Sequence, residues 1–367
     1  MNSRERLINC INHKPIDRVP ISTYEMVPYK TDDFYNTQSS YSDMMQFFRD
    51  NTDCIYSTGP MNTPMNNTIE KKETKIENGV ILETIIHGRG KDLIKRQKRL
   101  NNQNTWWTLK HFCEDLDDLD VYIKTLPDML NKVHTNHAHK IDKELGNKGI
   151  TMISVADPLC EIADSFEFGK FLIYAITETD KIYKACDAIY EYQTYHFDQI
   201  IKGGIKDMMI RIYGAEYATP PYLNPKMYYN LETKYLIPMC KKVKEVGGFP
   251  RIHSHGKIKH VLDQFMLTDM MALEPIEPIP DGDISIGEIK KICGDSVCLM
   301  GNVELKELEN SSPKEIDKIV KDIMDQAKGN TGLVLMPTAS PINVPLSKKT
   351  EQNYHEMINA GLKYGKY

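Results

Sequence analysis

No stretch of this 367-residue sequence approaches the roughly 18 consecutive apolar residues that a membrane-crossing helix needs. The first residues, MNSRERLINCINHKPIDR, hold no apolar core of a secretory leader. Cysteine is sparse: the eight residues at 10, 54, 113, 160, 186, 240, 293 and 298 stand singly, with no CxxC. That spacing excludes a disulfide framework. It is the usage of a reducing compartment, so the expected setting is the cytoplasm, with thiols acting as small buried apolar side chains. An excess of one charge is also missing. Lys and Arg number 46 against 51 Asp and Glu, a net charge of -5, which gives no general reason to expect nucleic-acid binding. No GxGxxG follows an apolar run, and HGRGK at 87–91 lacks the spacing of a P-loop.

What is present is an alternation. GITMISVADP (149–158), MMIRIYGAE (208–216), FPRIHSH (249–255), MMALEP (270–275), SVCLMGNV (296–303) and GLVLMPTAS (332–340) are short apolar runs, each followed by a segment of helix length. Ser285 with Glu288, and Ser312 with Glu315, have the hydroxyl-then-carboxylate spacing of a capping box, and Pro313 takes a first-turn position. Pro238 is expected to kink or break the helix that starts near Pro225. Six βα units after residue 149, with RVPIST (18–23) and DCIYS (53–57) upstream, predict eight. The expected fold is therefore an α/β (β/α)₈ TIM barrel, one domain over residues 1–367. Residues 60–110 break the alternation and predict an antiparallel insertion in the N-terminal third. The only tryptophans, Trp106 and Trp107, lie in it, and Lys91, Lys95, Arg96, Lys98 and Arg99 form a basic run. That run is either a solvated face or a docking patch for an acidic partner.

In such barrels chemistry sits at the carboxyl ends of the strands. That rule selects Tyr24 and Glu25, Asp157, Glu216 and Tyr217, His253 and His255, Glu274 and Glu277, Asn302 and Ser340. His253 and His255 are two apart on one strand and so face the same side. With a carboxylate from the next strand they have the composition of a zinc site. By contrast, His134, His137 and His139 sit in a polar helical segment and read as a solvated face.

KPIDRVP near the start, HSHG at 253–256, EPIEPIPDGD at 274–283 and MGNV at 300–303 together resemble the uroporphyrinogen decarboxylase superfamily over nearly the whole chain. The resemblance implies a (β/α)₈ barrel and either porphyrinogen decarboxylation or zinc-dependent methyl transfer. The decarboxylases carry an arginine-rich motif after the first strand, where this chain has TYEMVPYK at 23–30. The methyltransferases use a His-x-Cys, Glu, Cys zinc pattern. His253 matches its histidine, His255 replaces its first cysteine, Glu277 lies near the glutamate position with Glu274 as competitor, and the last cysteine is absent near Ala339. GAEYATPP and HSHG are similar to the branch associated with O-demethylation.

The resemblance thus implies Zn²⁺ on His253, His255 and Glu277. It implies Glu216 or Tyr217 as substrate-orienting or acidic groups, with Tyr24, Asp157, Asn302 and Ser340 as substrate contacts. The expected reaction moves a methyl group from a small methoxylated or otherwise methylated compound to the cobalt of a separate corrinoid-binding protein. The corrinoid is assigned to the partner because the chain has no DxHxxG cobalamin motif. Neither nucleic acid nor membrane is an expected partner. Three alternatives stay open: methyl transfer from a methylated corrinoid to a thiol, a decarboxylase-type lyase, and a barrel that binds without turnover.

Overall fold

The computed structural model describes residues 1–62 and 68–367; residues 63–67, part of the expected insertion, lie outside the described residues. Its strands are β1 (Cys54–Thr58), β2 (Met61–Asn62), β3 (Ile69–Ile76), β4 (Gly79–His87), β5 (Asp92–Leu100), β6 (Trp107–Lys110), β7 (Val133–His134), β8 (Gly149–Ala156), β9 (Met209–Tyr213), β10 (Phe249–Ser254), β11 (Ala272–Pro275), β12 (Cys298–Val303) and β13 (Leu333–Pro337). Seven of them form one sheet in the order β1–β8–β9–β10–β11–β12–β13, and every pairing within it is parallel. All six strands expected after residue 149 are present.

The eighth place is filled by residues 20–22 rather than by a full strand. Ser22 N donates to Leu335 O at 2.9 Å, Leu335 N to Pro20 O at 2.9 Å, and Asp53 N to Ile21 O at 2.7 Å. RVPIST thus touches both β13 and the start of β1 and closes the sheet into a barrel. It cannot extend the ladder, because Pro20 has no N–H to give and Tyr24, at φ 57°, turns the chain away.

Each crossover helix buries one stripe on the barrel. Pro313–Ala327 shows how: Ser312 and Glu315 form the expected capping box, and Ile316, Val320, Ile323, Met324 and Ala327 repeat at helical spacing on the buried side. Burying each such Ile or Val contributes about 1.5–3 kcal/mol. Pro238 does not stop its helix. The segment runs from Pro225–Tyr228 through a π turn at Tyr229–Thr233 into Lys234–Glu245, with Pro238 inside the last stretch. The wide turn lies just upstream of the proline, where irregularities of this kind are expected.

The barrel interior is filled by Ile55, Ile150, Met152, Met209, Met300, Val334 and Met336. One charged side chain runs through it: Arg251, buried, donates to the sulfurs of Met152, Met209 and Met336 at 3.4, 3.5 and 3.6 Å. Seven cysteines are buried and Cys160 partly so, all as free thiols. No helix among the described residues is long and apolar enough to cross a membrane.

The insertion is an antiparallel sheet, β3–β4–β5–β6. Its basic run is met from within the chain. Lys91 pairs with Asp118 at 2.5 Å, Arg96 with Glu83 at 2.6 Å, and Lys95 with Asp164. Arg99 lies over the Trp106 ring. The docking-patch reading therefore loses three of its five cations to internal pairs. His134, His137 and His139 are exposed, as expected, but His134 stands on β7 rather than on the helix Asn136–Leu145.

Candidate active site

Parallel register brings charged side chains of three strands to one mouth. Arg251 stands beside Arg211, and His253 beside Tyr213 and Glu274. Side chains two apart on a strand share a face, so Arg211 and Tyr213 on β9, Arg251 and His253 on β10, and Glu274 on β11 all point inward. Glu274 has no exposed surface. Its carboxylate takes Arg211 Nε at 2.7 Å on one oxygen and Arg251 on the other. Two guanidiniums on one buried carboxylate offset a desolvation cost that neither ion could bear unpaired. Arg211 also donates to Glu25 Oε1 at 2.8 Å and to the Tyr24 hydroxyl at 2.9 Å.

His253 is buried, with its Nδ1 3.1 Å from an Arg211 nitrogen and 3.3 Å from Glu274 Oε1. A guanidinium can only donate, so Nδ1 accepts and the ring proton sits on Nε2. Burial, and then the charges of Arg211, His255 and Arg251, hold His253 well below the usual histidine range. The ring is neutral at pH 7. His255 is oriented differently. Its Nδ1 is 2.7 Å from Glu277 Oε1, and the other Glu277 oxygen accepts Gly256 N at 2.6 Å. Burial acts to lower the His255 pKa, but the Glu277 hydrogen bond and charge outweigh it and raise it.

Glu216 follows β9 on the short turn Ala215–Ala218. Its Oε2 accepts Gly214 N at 3.2 Å. Gly214 must be glycine: φ is 128°, and a Cβ there would lie 2.5 Å from both Asp157 carboxylate oxygens. Burial raises the Glu216 pKa, with His255 and Arg211 pulling the other way. Glu216, Arg211 and His253 line a cavity of about 480 Å³ at the barrel mouth, together with Glu25, Lys30 and Ser154. Convergent charged groups over a volume of that order make it the candidate active site.

The expected zinc set does not fit this arrangement. Among the described residues no group of three or more His, Cys, Asp or Glu side chains is placed to hold a metal ion. The reason is chemical. Arg211 occupies Nδ1 of His253 in this arrangement and brings a positive charge beside the ring, which opposes a cation there. Both Glu277 oxygens are engaged, one orienting His255 and one on backbone.

The other expected contacts scatter. Tyr24 does not line the mouth cavity; it touches Arg211 through its hydroxyl and the His253 ring at 6.3 Å between centroids. Tyr217 packs its ring on Phe168 and Phe171, at 5.8 and 6.4 Å between centroids, and does not line the mouth cavity. Asp157 is buried and caps the helix Pro158–Ser165 by accepting Cys160 N at 2.7 Å. Asn302 donates to Ile276 O at 2.8 Å and lines a different cavity, with Pro280 and Glu304. Ser340, nearly buried, is beside Tyr35 rather than the mouth. In each case a local need competed with the strand-end rule: a helix cap, a ring stack or a carbonyl to satisfy. Sequence reasoning missed Arg211 and Arg251. The available signal was an arginine inside each of two otherwise apolar strands, MMIRIY and FPRIH, where an unpaired charge is not tolerated.

Fold and site together define a TIM-barrel protein with a charged mouth and an antiparallel sheet inserted early in the chain. The family model described as uroporphyrinogen decarboxylase (URO-D) matches residues 151–352, more than half of the chain, and the protein belongs to that family. Among solved structures, a methyltransferase from Methanosarcina mazei superposes over 99% of this chain and 99% of its own, with a TM-score of 0.62 at 14% identity. At that identity the likeness establishes the shared barrel. A Bacteroidetes-affiliated GH5 cellulase linked with a polysaccharide utilization locus covers 71% of this chain and 78% of its own at 9% identity and a TM-score of 0.35. That similarity is too low to support any argument. A comparison with curated proteins finds no match.

Proposed function

We propose that the protein is a methyltransferase that takes a methyl group from a small methoxylated or otherwise methylated compound and passes it to a partner corrinoid protein. The observation that carries this reading is Glu216, a carboxyl held toward its neutral form by burial in the cavity shared with Arg211 and His253. Membership of the family and the whole-length likeness to a methyltransferase support it.

The partner's reduced cobalt supplies the nucleophile. What this chain must do is make the leaving oxygen tolerable. As the bond from oxygen to the methyl carbon breaks, its electron pair stays on oxygen. The Glu216 carboxyl donates its proton there and becomes a carboxylate. Arg211, its charge shared with Glu25 and Glu274, lines the same cavity and lies beside the developing negative charge. With Nδ1 committed to Glu277, His255 has only Nε2 left for exchange with substrate or solvent. The porphyrinogen alternative finds few counter-charges. Of the two cations lining the cavity, Arg211 is already paired with Glu25 and Glu274.

The test supplies a corrinoid protein reduced to Co(I) and a methoxylated aromatic, and follows the corrinoid absorbance. Transfer is expected with the wild type. Glu216→Gln is expected to slow it by about 10²–10⁴-fold, the usual weight of a general acid, with calorimetric substrate binding little changed. An undiminished rate in that variant would remove Glu216 as the acid. Transfer only from methylated corrinoid to a thiol would reverse the direction.

A further inference from the structure

The cavity at the barrel mouth carries one charge that the chain does not balance. Glu25 and Glu274 take Arg211, and Glu274 also takes Arg251, so two carboxylates meet two guanidiniums. His253 is neutral, and burial holds Glu216 toward its neutral form. The remaining charged group in the lining is Lys30. Its backbone N donates to Val27 O at 3.2 Å and its carbonyl accepts Asn36 Nδ2 at 2.9 Å, which leaves the side chain to meet the cavity. Among the described residues the Lys30 ammonium has no hydrogen bond and no ion pair, and it is not sealed from solvent. A free lysine is ordinary on an open surface. This one lines a cavity in which every other full charge has a counter-charge.

Ser57 lines the same cavity. It lies two residues beyond Ile55 on β1, and so shares the face by which Ile55 fills the barrel interior. Its hydroxyl likewise has no partner among the described residues and is open to solvent. Lys30 follows residues 20–22, the first barrel position, and Ser57 stands near the end of β1, the second. Glu216 follows β9, the fourth. The cation and the hydroxyl are thus set two or three strands away from the candidate acid, around one space of about 480 Å³.

We infer that Lys30 and Ser57 form an anion subsite of this cavity, and that the methyl donor is a monoanion whose carboxylate sits there while its methyl-bearing end faces Glu216. An ammonium and a hydroxyl both donate to a carboxylate, and the bonds are charge-assisted. One uncompensated cation selects one negative group. A neutral donor leaves Lys30 to water and gains nothing from it. The inference rests on the methyl-transfer reading for which end of the compound reacts, but the subsite itself can be measured without turnover.

Calorimetry on the full chain with no corrinoid present compares 4-methoxybenzoate with 4-methoxybenzamide, which match in shape and differ in charge. The acid is expected to bind about tenfold tighter or better, the weight of a hydrogen bond to a charged group. Lys30→Gln is expected to bring the ratio near one, and Lys30→Arg to retain most of it. Ser57→Ala is expected to reduce it in part. Circular dichroism reports the fold of each variant. Equal affinity of the wild type for the two compounds, binding of the acid too weak to measure, or an unchanged ratio in Lys30→Gln overturns the inference. A preserved preference without methyl transfer to a reduced corrinoid protein would refute only the activity. Equal binding with methyl transfer intact would refute only the anion subsite.

Discussion

A carboxyl group that is to give up a proton near neutral pH must first be kept from ionising, and its neighbours decide whether that happens. Glu216 is raised by burial, while its family-motif companion Tyr217 turns to Phe168 and Phe171. The same logic governs metal binding. Arg211 holds Nδ1 of His253 and adds a positive charge where a cation would sit. Replacing it by Arg211→Gln is therefore expected to raise zinc affinity by about tenfold or more, from the removed repulsion alone. Zinc titration with a competing chelator checks this, with circular dichroism reporting the fold. Stoichiometric zinc in the wild type that the substitution does not tighten would restore His253, His255 and Glu277 as ligands in another side-chain arrangement. HSH at 253–255 was legible in the sequence, but its tautomers were not, because they depend on an arginine 42 residues away.

At the scale of the element, the π turn Tyr229–Thr233 stands out. Glu232 on it has no exposed surface, and both of its carboxylate oxygens lack a partner. Burial raises it well above the usual carboxylate range, with Asp157 and then Glu216 adding to the shift. Asp157 is raised too, by burial first and with Glu216 contributing. Cys186 and Tyr228 complete the surroundings, both pushed up. The sign follows from linkage. A carboxyl whose folded pKa is raised binds its proton more tightly in the folded state. That stabilisation is fully present below the unfolded value near 4.3 and is lost as pH rises through the folded pKa. Glu232→Gln abolishes the loss. Urea unfolding at pH 5 and pH 8 is expected to show the variant gaining at least ~1 kcal/mol on the wild type at the higher pH. Parallel curves for the two proteins would mean that Glu232 is ionised in the fold. A helix with an interruption was legible from Pro238; the π turn was not, since it answers to packing rather than to propensity.

For the whole molecule the decisive feature is the seam. Asp53, fully buried, accepts Arg6 at 2.5 Å, Arg18 at 2.7 Å and Ile21 N at 2.9 Å. It thereby ties the N-terminal helix Ser3–Ile11 and residues 20–22 to the start of β1. Asp53→Ala removes one carboxylate from two guanidiniums, of which Arg6 keeps Asp17 and Arg18 keeps Val19 O, and takes the acceptor from a backbone N–H. The expected cost is about 3–5 kcal/mol, the range for breaking a buried ion pair from one side, measured by denaturant unfolding. A loss below ~1 kcal/mol would show that the seam holds through backbone ladder bonds alone. KPIDRVP drew attention as a family motif, and part of its physical content is this closure.

Composition, apolar runs and capping boxes were enough to determine eight barrel positions, the antiparallel insertion and the free thiols, because these depend on local periodicity and on burial averaged over many residues. The strand-end rule found Glu25, Glu216 and His253 at the mouth but missed Arg211 and selected Tyr217, Asp157, Asn302 and Ser340, which lie elsewhere. Only the tertiary structure decided which of them meet. It turned Asp157 into a cap, sent Asn302 to another cavity and set Arg211 between Glu25, Tyr24, Glu274 and His253. Hydrogen bonds and ion pairs act over about 3 Å, so their partners are fixed by strand register and barrel closure, which no single segment of the chain encodes.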